Sequence, residues 1–93
     1  MFAGKTVVVT GSSSGIGAQA AVEFAKQGAN IILHGRNRET LAQVEKACLS
    51  TGAVKNDQIA SVIGDICDDH VQKELIDSAI RKFGKINVLV SAE

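Results

Sequence analysis

The sequence predicts an α/β fold in which four parallel strands alternate with three helices in one small domain. Four short runs of apolar, mostly β-branched residues occur along the 93 residues, and none of them alternates with polar residues. Runs of this kind are typical of strands that are buried on both faces of a parallel sheet. The segments between the runs have apolar residues three or four apart, which is the spacing of amphipathic helices. No proline interrupts these segments.

The apolar runs define four predicted strands, at residues 6–10, 30–34, 59–63 and 86–90. Helical segments between successive strands imply right-handed crossovers, so we expect all four strands to be parallel. The result is a βαβαβαβ unit with three layers, a truncated Rossmann-type fold with a four-stranded parallel sheet. Residues 53–58 form the only extended linker.

Each predicted helix has its own start or stop signal. The first is predicted over residues 15–27 and ends at Gly28, a favourable C-cap. The second begins after Asn37, a favourable N-cap, and the third begins near Asp68 or Asp69, whose carboxylates suit a helix N-terminus. The apolar faces of the three helices are formed by Ile16, Ala20, Phe24, Leu41, Val44, Cys48, Val71, Leu75, Ala79 and Phe83.

Composition excludes several classes of protein. Ten basic residues balance ten acidic ones, so we expect no basic surface that attracts nucleic acid. Cys48 and Cys67 are far apart in sequence and cannot complete a zinc site, so we expect two reduced, buried thiols. No apolar run is long enough to span a membrane, and the first residues do not resemble a signal peptide. We therefore expect a cytoplasmic protein without membrane or nucleic-acid partners.

A glycine- and serine-rich segment joins the first predicted strand to the first predicted helix. Its residues are Thr10, Gly11, Ser12, Ser13, Ser14, Gly15, Ile16 and Gly17. Glycines at such a turn let a pyrophosphate approach the backbone N–H groups at the helix N-terminus, where the dipole favours negative charge. A glycine-rich turn without a ligand is the alternative, but the position between a buried strand and an amphipathic helix favours a dinucleotide. The spacing is not G-x-G-x-x-G, and no Gly-Lys-Ser/Thr follows, which excludes a nucleoside-triphosphate P-loop.

The segment matches T-G-x-x-x-G-x-G at every fixed position, and on this motif the sequence resembles the short-chain dehydrogenase/reductase family. The resemblance runs through almost all of residues 1–93 and implies the N-terminal dinucleotide-binding half of a Rossmann domain. Two later segments also resemble family positions, namely Gly35-Arg36-Asn37 and Gly64-Asp65-Ile66. In the family, the aspartate at the position of Asp65 contacts the adenine ring, and the residue at the position of Ile66 lines the same pocket.

The segment after the second strand favours NADP over NAD as the cofactor. An NAD site of this kind places a carboxylate on the ribose 2′-hydroxyl, about 20 residues beyond the glycines. Here no carboxylate occurs before Glu39, and Arg36 directly follows the strand. A guanidinium can hold a 2′-phosphate through two parallel hydrogen bonds, so we predict that Arg36 binds it with help from Asn37. Arg38 is expected to be a solvated residue at the start of a helix.

The resemblance implies an oxidoreductase that interconverts an alcohol and a carbonyl, but the family's catalytic residues have no counterpart in this sequence. The catalytic serine and the Tyr-x-x-x-Lys pair lie on later elements of the family, and the sequence contains no tyrosine. Ser91, Ala92 and Glu93 stand where the family has Asn-Asn-Ala-Gly. His34 and His70 are more often structural than catalytic at such positions. We therefore assign no catalytic residue and expect the chain to be inactive alone.

Four functional alternatives stay open at this point. The first is the NADP-binding portion of a short-chain oxidoreductase. The second is a non-enzymatic truncated isoform that binds NADP or pairs with a full-length relative. An S-adenosylmethionine-dependent methyltransferase is disfavoured, because it too expects an acidic residue after the second strand. The fourth is a non-functional fragment.

The expected strand order leaves the sheet only partly covered. By analogy with the order 3-2-1-4, the fourth strand pairs with the first and leaves its other edge bare. Two helices should cover one face of the sheet and one helix the other, although parallel sheets normally need both faces covered. We therefore expect marginal stability, homo-oligomers or aggregation.

Overall fold

The computed structural model describes residues 2–11 and 15–91, and strands alternate with helices along them. The elements in chain order are β1 (Thr6–Thr10), α1 (Gly15–Lys26), β2 (Asn30–Gly35), α2 (Arg38–Ser50), β3 (Ile59–Ile63), α3 (Asp69–Phe83) and β4 (Val88–Ser91). The predicted bounds are correct to within one or two residues. The linker predicted over residues 53–58 contains a short 3-10 helix, Asn56–Gln58.

The four strands form one parallel sheet in the predicted order β3-β2-β1-β4. The central strands β1 and β2 are buried almost throughout. The edge strands β3 and β4 instead mix buried or half-buried residues with exposed ones. The prediction that all four strands are buried on both faces is therefore wrong for the edges. Each edge strand lacks a neighbour on one side, and the helices cover only part of its surface.

Helices cover the two faces of the sheet unequally, as predicted. On one face, α1 and α2 pack on a cluster that includes Val7, Val9 and Leu33. On the other face, α3 packs on a smaller cluster that includes Val8 and Ile32. Successive side chains of a strand point to opposite faces, so β1 contributes to both clusters.

Helix caps form at the residues that the sequence indicates. The side chain of Asn37 accepts hydrogen bonds from two backbone N–H groups in the first turn of α2, at 2.8 and 3.2 Å. Asp68, rather than Asp69, caps α3, and its carboxylate accepts a backbone N–H at 2.8 Å. The C-cap of α3 is Gly84, whose φ of 78° is the left-handed conformation common at helix ends.

The face covered by α3 carries large exposed apolar side chains. Leu89 on β4 is 63% exposed, and Ile76 and Ile80 on α3 are about half exposed. An apolar cleft of about 310 Å³ lies between the sheet and α3, and both Leu89 and Ile76 line it. Exposed apolar surface of this kind favours association, so the expected oligomerisation or aggregation stays a prediction.

The two thiols lie in different environments. Cys48 is buried in α2, and this burial, with a smaller contribution from Glu45, raises the pKa of its thiol to about 11. Cys67 is exposed, so the prediction of two buried thiols is wrong for this residue. Its loop lies between β3 and α3, at the edge of the sheet rather than beneath a helix.

Candidate functional site

The carboxyl ends of three strands bring the predicted site segments to one edge of the sheet. Gly11 follows β1, Arg36 follows β2 and Asp65 lies just beyond β3. Since the strands are parallel, all three positions lie at the same edge. The strands β2 and β4 flank β1 on opposite sides, which makes β1 the point where the strand order reverses. In open α/β sheets, ligands bind in the crevice outside the carboxyl ends at such a point.

Two of the three glycines in the glycine-rich segment, Gly11 and Gly15, have different requirements. Gly11 has a φ of 66°, a left-handed conformation that favours glycine whatever surrounds it. Gly15 begins α1 without a positive φ, and a Cβ added there would meet no atom of residues 2–11 and 15–91 within 4 Å. Neither backbone conformation nor packing against the part of the chain that the structure describes therefore requires glycine at position 15, whereas the close approach of a ligand would. The predicted contacts of Ser12, Ser13 and Ser14 lie outside the described residues.

The N-terminus of α1 is suited to an anion. Its first turn carries no acidic side chain, whereas the first turns of α2 and α3 each carry one. The N–H groups and the positive end of the helix dipole therefore have no neighbouring carboxylate within that turn to compensate them. At this end of the helix Ile16 is exposed, while Gly17 is buried. This arrangement fits a pyrophosphate at the end of α1.

Thr10 and Ile66 border the site from the side of α3. The buried Thr10 hydroxyl donates a hydrogen bond to the Val90 carbonyl at 3.3 Å, which ties the end of β1 to β4. Both Thr10 and Ile66 line the apolar cleft between the sheet and α3. The structure thus places a half-buried Ile66 next to Asp65, as the prediction of an adenine pocket requires, while the contact with adenine stays a prediction.

Arg36 and Asp65 lie side by side. A guanidinium nitrogen of Arg36 is 3.4 Å from a carboxylate oxygen of Asp65, and the two side chains are 74% and 52% exposed. A backbone hydrogen bond from Cys67, at 2.9 Å, and secondly the positive charge of Arg36 hold the pKa of Asp65 below its usual value. An exposed ion pair of this kind is weak. The pair therefore leaves the guanidinium of Arg36 largely accessible to solvent.

His34 is the residue of this edge that sequence reasoning did not assign to the site. Its Nδ1 accepts a hydrogen bond from the Gly11 N–H at 3.1 Å, and its Nε2 lies 2.8 Å from the carbonyl oxygen of Gly64. The side chain is 2% exposed. A polar residue at the end of a buried strand was the available signal, but it does not reveal which loops the side chain contacts.

Other kinds of site are not formed by the described residues. Within residues 2–11 and 15–91, no three His, Cys, Asp or Glu side chains are grouped so that they could hold a metal ion. In the same ranges, no helix has the length and apolar character needed to cross a membrane. His70 lies in the first turn of α3, is almost fully exposed and contacts Asp68. These observations leave the carboxyl edge as the candidate site.

The parallel strand order, the glycine-rich segment and the absence of acidic residues from the first turn of α1 are those of a Rossmann-type unit of the class that binds dinucleotides. A family model described as short chain dehydrogenase matches residues 5–92. The chain therefore belongs to the short-chain dehydrogenase family, as the motif predicted.

The chain is similar to one part of several longer proteins. It is 40% identical over 88 residues to hydroxysteroid 11-beta-dehydrogenase 1-like protein A of Xenopus laevis, covering 94% of this chain and 29% of the relative. It superposes with a TM-score of 0.90 and 42% identity on a Caenorhabditis elegans short-chain dehydrogenase/reductase of unknown function with cofactor, covering 95% and 32% of the two chains. It also superposes with a TM-score of 0.84 and 32% identity on L-sorbose reductase from Gluconobacter frateurii, complexed with NADPH and L-sorbose. That match covers 95% of this chain and 32% of the reductase chain. The chain thus spans about a third of the length of these proteins.

Proposed function

We propose that this chain is the NADP(H)-binding portion of a short-chain dehydrogenase/reductase that interconverts an alcohol and a carbonyl. The observation that carries the proposal is Gly15, a glycine at a helix N-terminus where neither the backbone nor packing against the described residues requires one. When bound, the nicotinamide would accept or donate a hydride. The residues of this chain would bind and orient the cofactor, and the chain alone would be inactive, because it has no Tyr-x-x-x-Lys pair.

The proposed contacts divide the cofactor into three parts. The glycine-rich turn and the N-terminus of α1 bind the pyrophosphate, Arg36 and Asn37 bind the 2′-phosphate, and Asp65 and Ile66 hold the adenine. The proposed binding residues are Thr10, Gly11, Ser12, Ser13, Ser14, Gly15, Ile16, Gly17, Arg36, Asn37, Asp65 and Ile66. The ion pair of Arg36 with Asp65 supports this division. The proposed partners of the 2′-phosphate and of the adenine lie 3.4 Å apart, close enough to contact the same adenosine.

Thermal unfolding with and without cofactor tests the proposal. A ligand that binds only the folded state, at about 100 times its dissociation constant, stabilises that state by about 2.7 kcal/mol. For a domain of this size, we expect NADP to raise the Tm by roughly 10–20 °C. NAD at the same concentration should raise it far less. The measurement is far-UV circular dichroism, and equal shifts with the two cofactors, or no shift with either, would contradict the proposal.

Asn37 allows its capping role to be separated from its proposed contact with the 2′-phosphate. Asn37→Asp should keep the cap, because a carboxylate accepts the same N–H groups and suits the positive end of α2. The new charge lies beside the proposed phosphate site, so we expect NADP affinity to fall by roughly fivefold with little change in Tm. Asn37→Ala is the matched control and should lower the free energy of unfolding by about 1 kcal/mol. Unchanged NADP affinity in Asn37→Asp would place Asn37 beyond the reach of the phosphate.

A second candidate function is a non-enzymatic chain that binds NADP or pairs with a full-length relative. The observation that favours it is the exposed apolar surface formed by Leu89, Ile76 and Ile80 on the α3 face. Under either function we propose a cytoplasmic protein.

A further inference from the structure

His34 connects two loops of the site through opposite ends of one buried ring. The Gly11 N–H donates to Nδ1, so Nδ1 carries no proton. The Gly64 carbonyl can only accept, so Nε2 carries the proton and donates it. The two bonds together define a neutral imidazole in a single tautomer. One loop continues into the glycine-rich turn, and the other leads directly to Asp65.

Both loops are held at glycines with unusual backbone conformations. Gly11 has a φ of 66° and Gly64 a φ of 153°. A Cβ at Gly64 would lie 2.4 Å from a methyl carbon of Val71 on α3, so the backbone of Gly64 approaches this helix closely. The N–H of Gly64 also donates to the carbonyl of Gly35 at 3.0 Å. The loop after β3 is thus fixed against α3 and β2, and His34 carries this restraint to Gly11.

We propose that His34 is a positioning residue of the dinucleotide site, a role that rests on the proposed function. Its imidazole holds the start of the glycine-rich turn at a set distance from the loop that carries Asp65. The pyrophosphate and the adenine of one cofactor must reach both loops at once, so their spacing determines whether the contacts form together. His34 does not touch the cofactor in this proposal, because it is buried behind the turn.

Histidine suits this position better than other polar residues. It offers an acceptor and a donor on opposite sides of a rigid ring. Asparagine can present an oxygen near the place of Nδ1 but is too short to reach Gly64. Glutamine can present a donor near the place of Nε2 but does not keep the acceptor at Nδ1. Leucine fills the space and leaves both backbone groups without this partner, which is costly in a buried site.

Three variants and two ligands test the proposal. We expect His34→Leu to raise the dissociation constant of NADP by about tenfold, equivalent to about 1.4 kcal/mol. The fragment 2′-AMP lacks the pyrophosphate, and its affinity should change by less than about twofold. His34→Asn keeps only the acceptor for Gly11, and His34→Gln keeps only the donor toward Gly64, so neither variant should recover more than a small part of the NADP affinity. Isothermal titration calorimetry measures all of these constants.

A matched control separates this effect from a general loss of stability. Val62 is buried and lies opposite His34 in the register of β2 and β3, and it belongs to the apolar cluster beneath α3. Val62→Ala should lower the Tm but change the NADP dissociation constant by less than about twofold. The positioning role would be overturned if His34→Leu lowered the affinities for NADP and 2′-AMP equally. It would also be overturned if His34→Leu left the NADP affinity unchanged.

A measurement on the unsubstituted protein keeps the test independent of how well the variants fold. Isotope-labelled protein should show a scalar coupling across the hydrogen bond between the Gly11 amide nitrogen and Nδ1 of His34. Absence of this coupling would overturn the inference. If the unsubstituted protein binds no NADP, the proposed function itself fails. If the protein binds NADP but shows no coupling, or if substitutions of His34 do not change NADP binding, the role of His34 is wrong and the proposed function still stands.

Discussion

Replacing Gly15 with alanine is expected to stabilise the protein while weakening its binding of NADP. Gly15 is the first residue of α1, its φ is not positive, and an added Cβ meets no described atom within 4 Å. Alanine restricts the unfolded chain and favours the helix, so the free energy of unfolding should rise by about 0.5 kcal/mol. The same methyl group would occupy the approach of the pyrophosphate. We expect the NADP dissociation constant to rise at least about tenfold, and more for Gly15→Val.

Gly52→Ala is the control for the Gly15 variant. Gly52 follows α2 with a φ of 76°, and an added Cβ there also meets nothing within 4 Å. Because alanine is disfavoured in the left-handed region, this variant should lose about 1 kcal/mol of stability and keep its NADP affinity. The two substitutions add the same group, but they should have opposite effects in thermal unfolding, and only Gly15→Ala should weaken NADP binding in calorimetric titration. A Gly15→Ala variant that binds NADP as tightly as the unsubstituted protein would remove the main support for the site.

The central part of the fold could be predicted because its local signals agree with one another. β1 is a continuous apolar run that leads into a glycine turn and an amphipathic helix, and each feature supports the same assignment. The cap at Asn37 also follows from sequence, since it needs only the two N–H groups of its own helix. Features that depend on neighbours in the chain are therefore well predicted.

Features that depend on distant partners could not be predicted. The apolar run over residues 86–90 predicts that the fourth strand begins at residue 86, but β4 begins to pair with β1 only at Val88. Asn87 instead accepts the Thr6 N–H with its side chain and donates its own N–H to the Thr6 carbonyl. Gly11 and Gly64, whose backbone groups bond to His34, are 23 and 30 residues away from it in the chain. The periodicity of apolar residues contains no information about contacts between residues so far apart in the sequence.

Replacing Arg36 with alanine is expected to abolish the preference for NADP over NAD. The guanidinium is the proposed partner of the 2′-phosphate, and charge-assisted, bidentate bonds of this kind are among the stronger hydrogen bonds in proteins. We expect the NADP dissociation constant to rise by roughly 10- to 100-fold, while that of NAD changes by less than about twofold. Arg38→Ala is the matched control, since it removes the same charge from the first residue of α2 and should leave the preference intact. Equal losses for both cofactors in Arg36→Ala would contradict the assignment.

The ion pair between Arg36 and Asp65 adds a second consequence to this substitution. In Arg36→Ala, the carboxylate of Asp65 loses its positive neighbour and would face the 2′-phosphate as an ionised group, because the Cys67 N–H still favours the charged form. Adding Asp65→Asn to Arg36→Ala should therefore recover part of the NADP affinity. The same addition should not increase the affinity for NAD, which has no 2′-phosphate. A double-mutant cycle with both cofactors measures this coupling. No recovery would mean that the 2′-phosphate binds away from Asp65, and the proposed division of the adenosine half between these two residues would then be wrong.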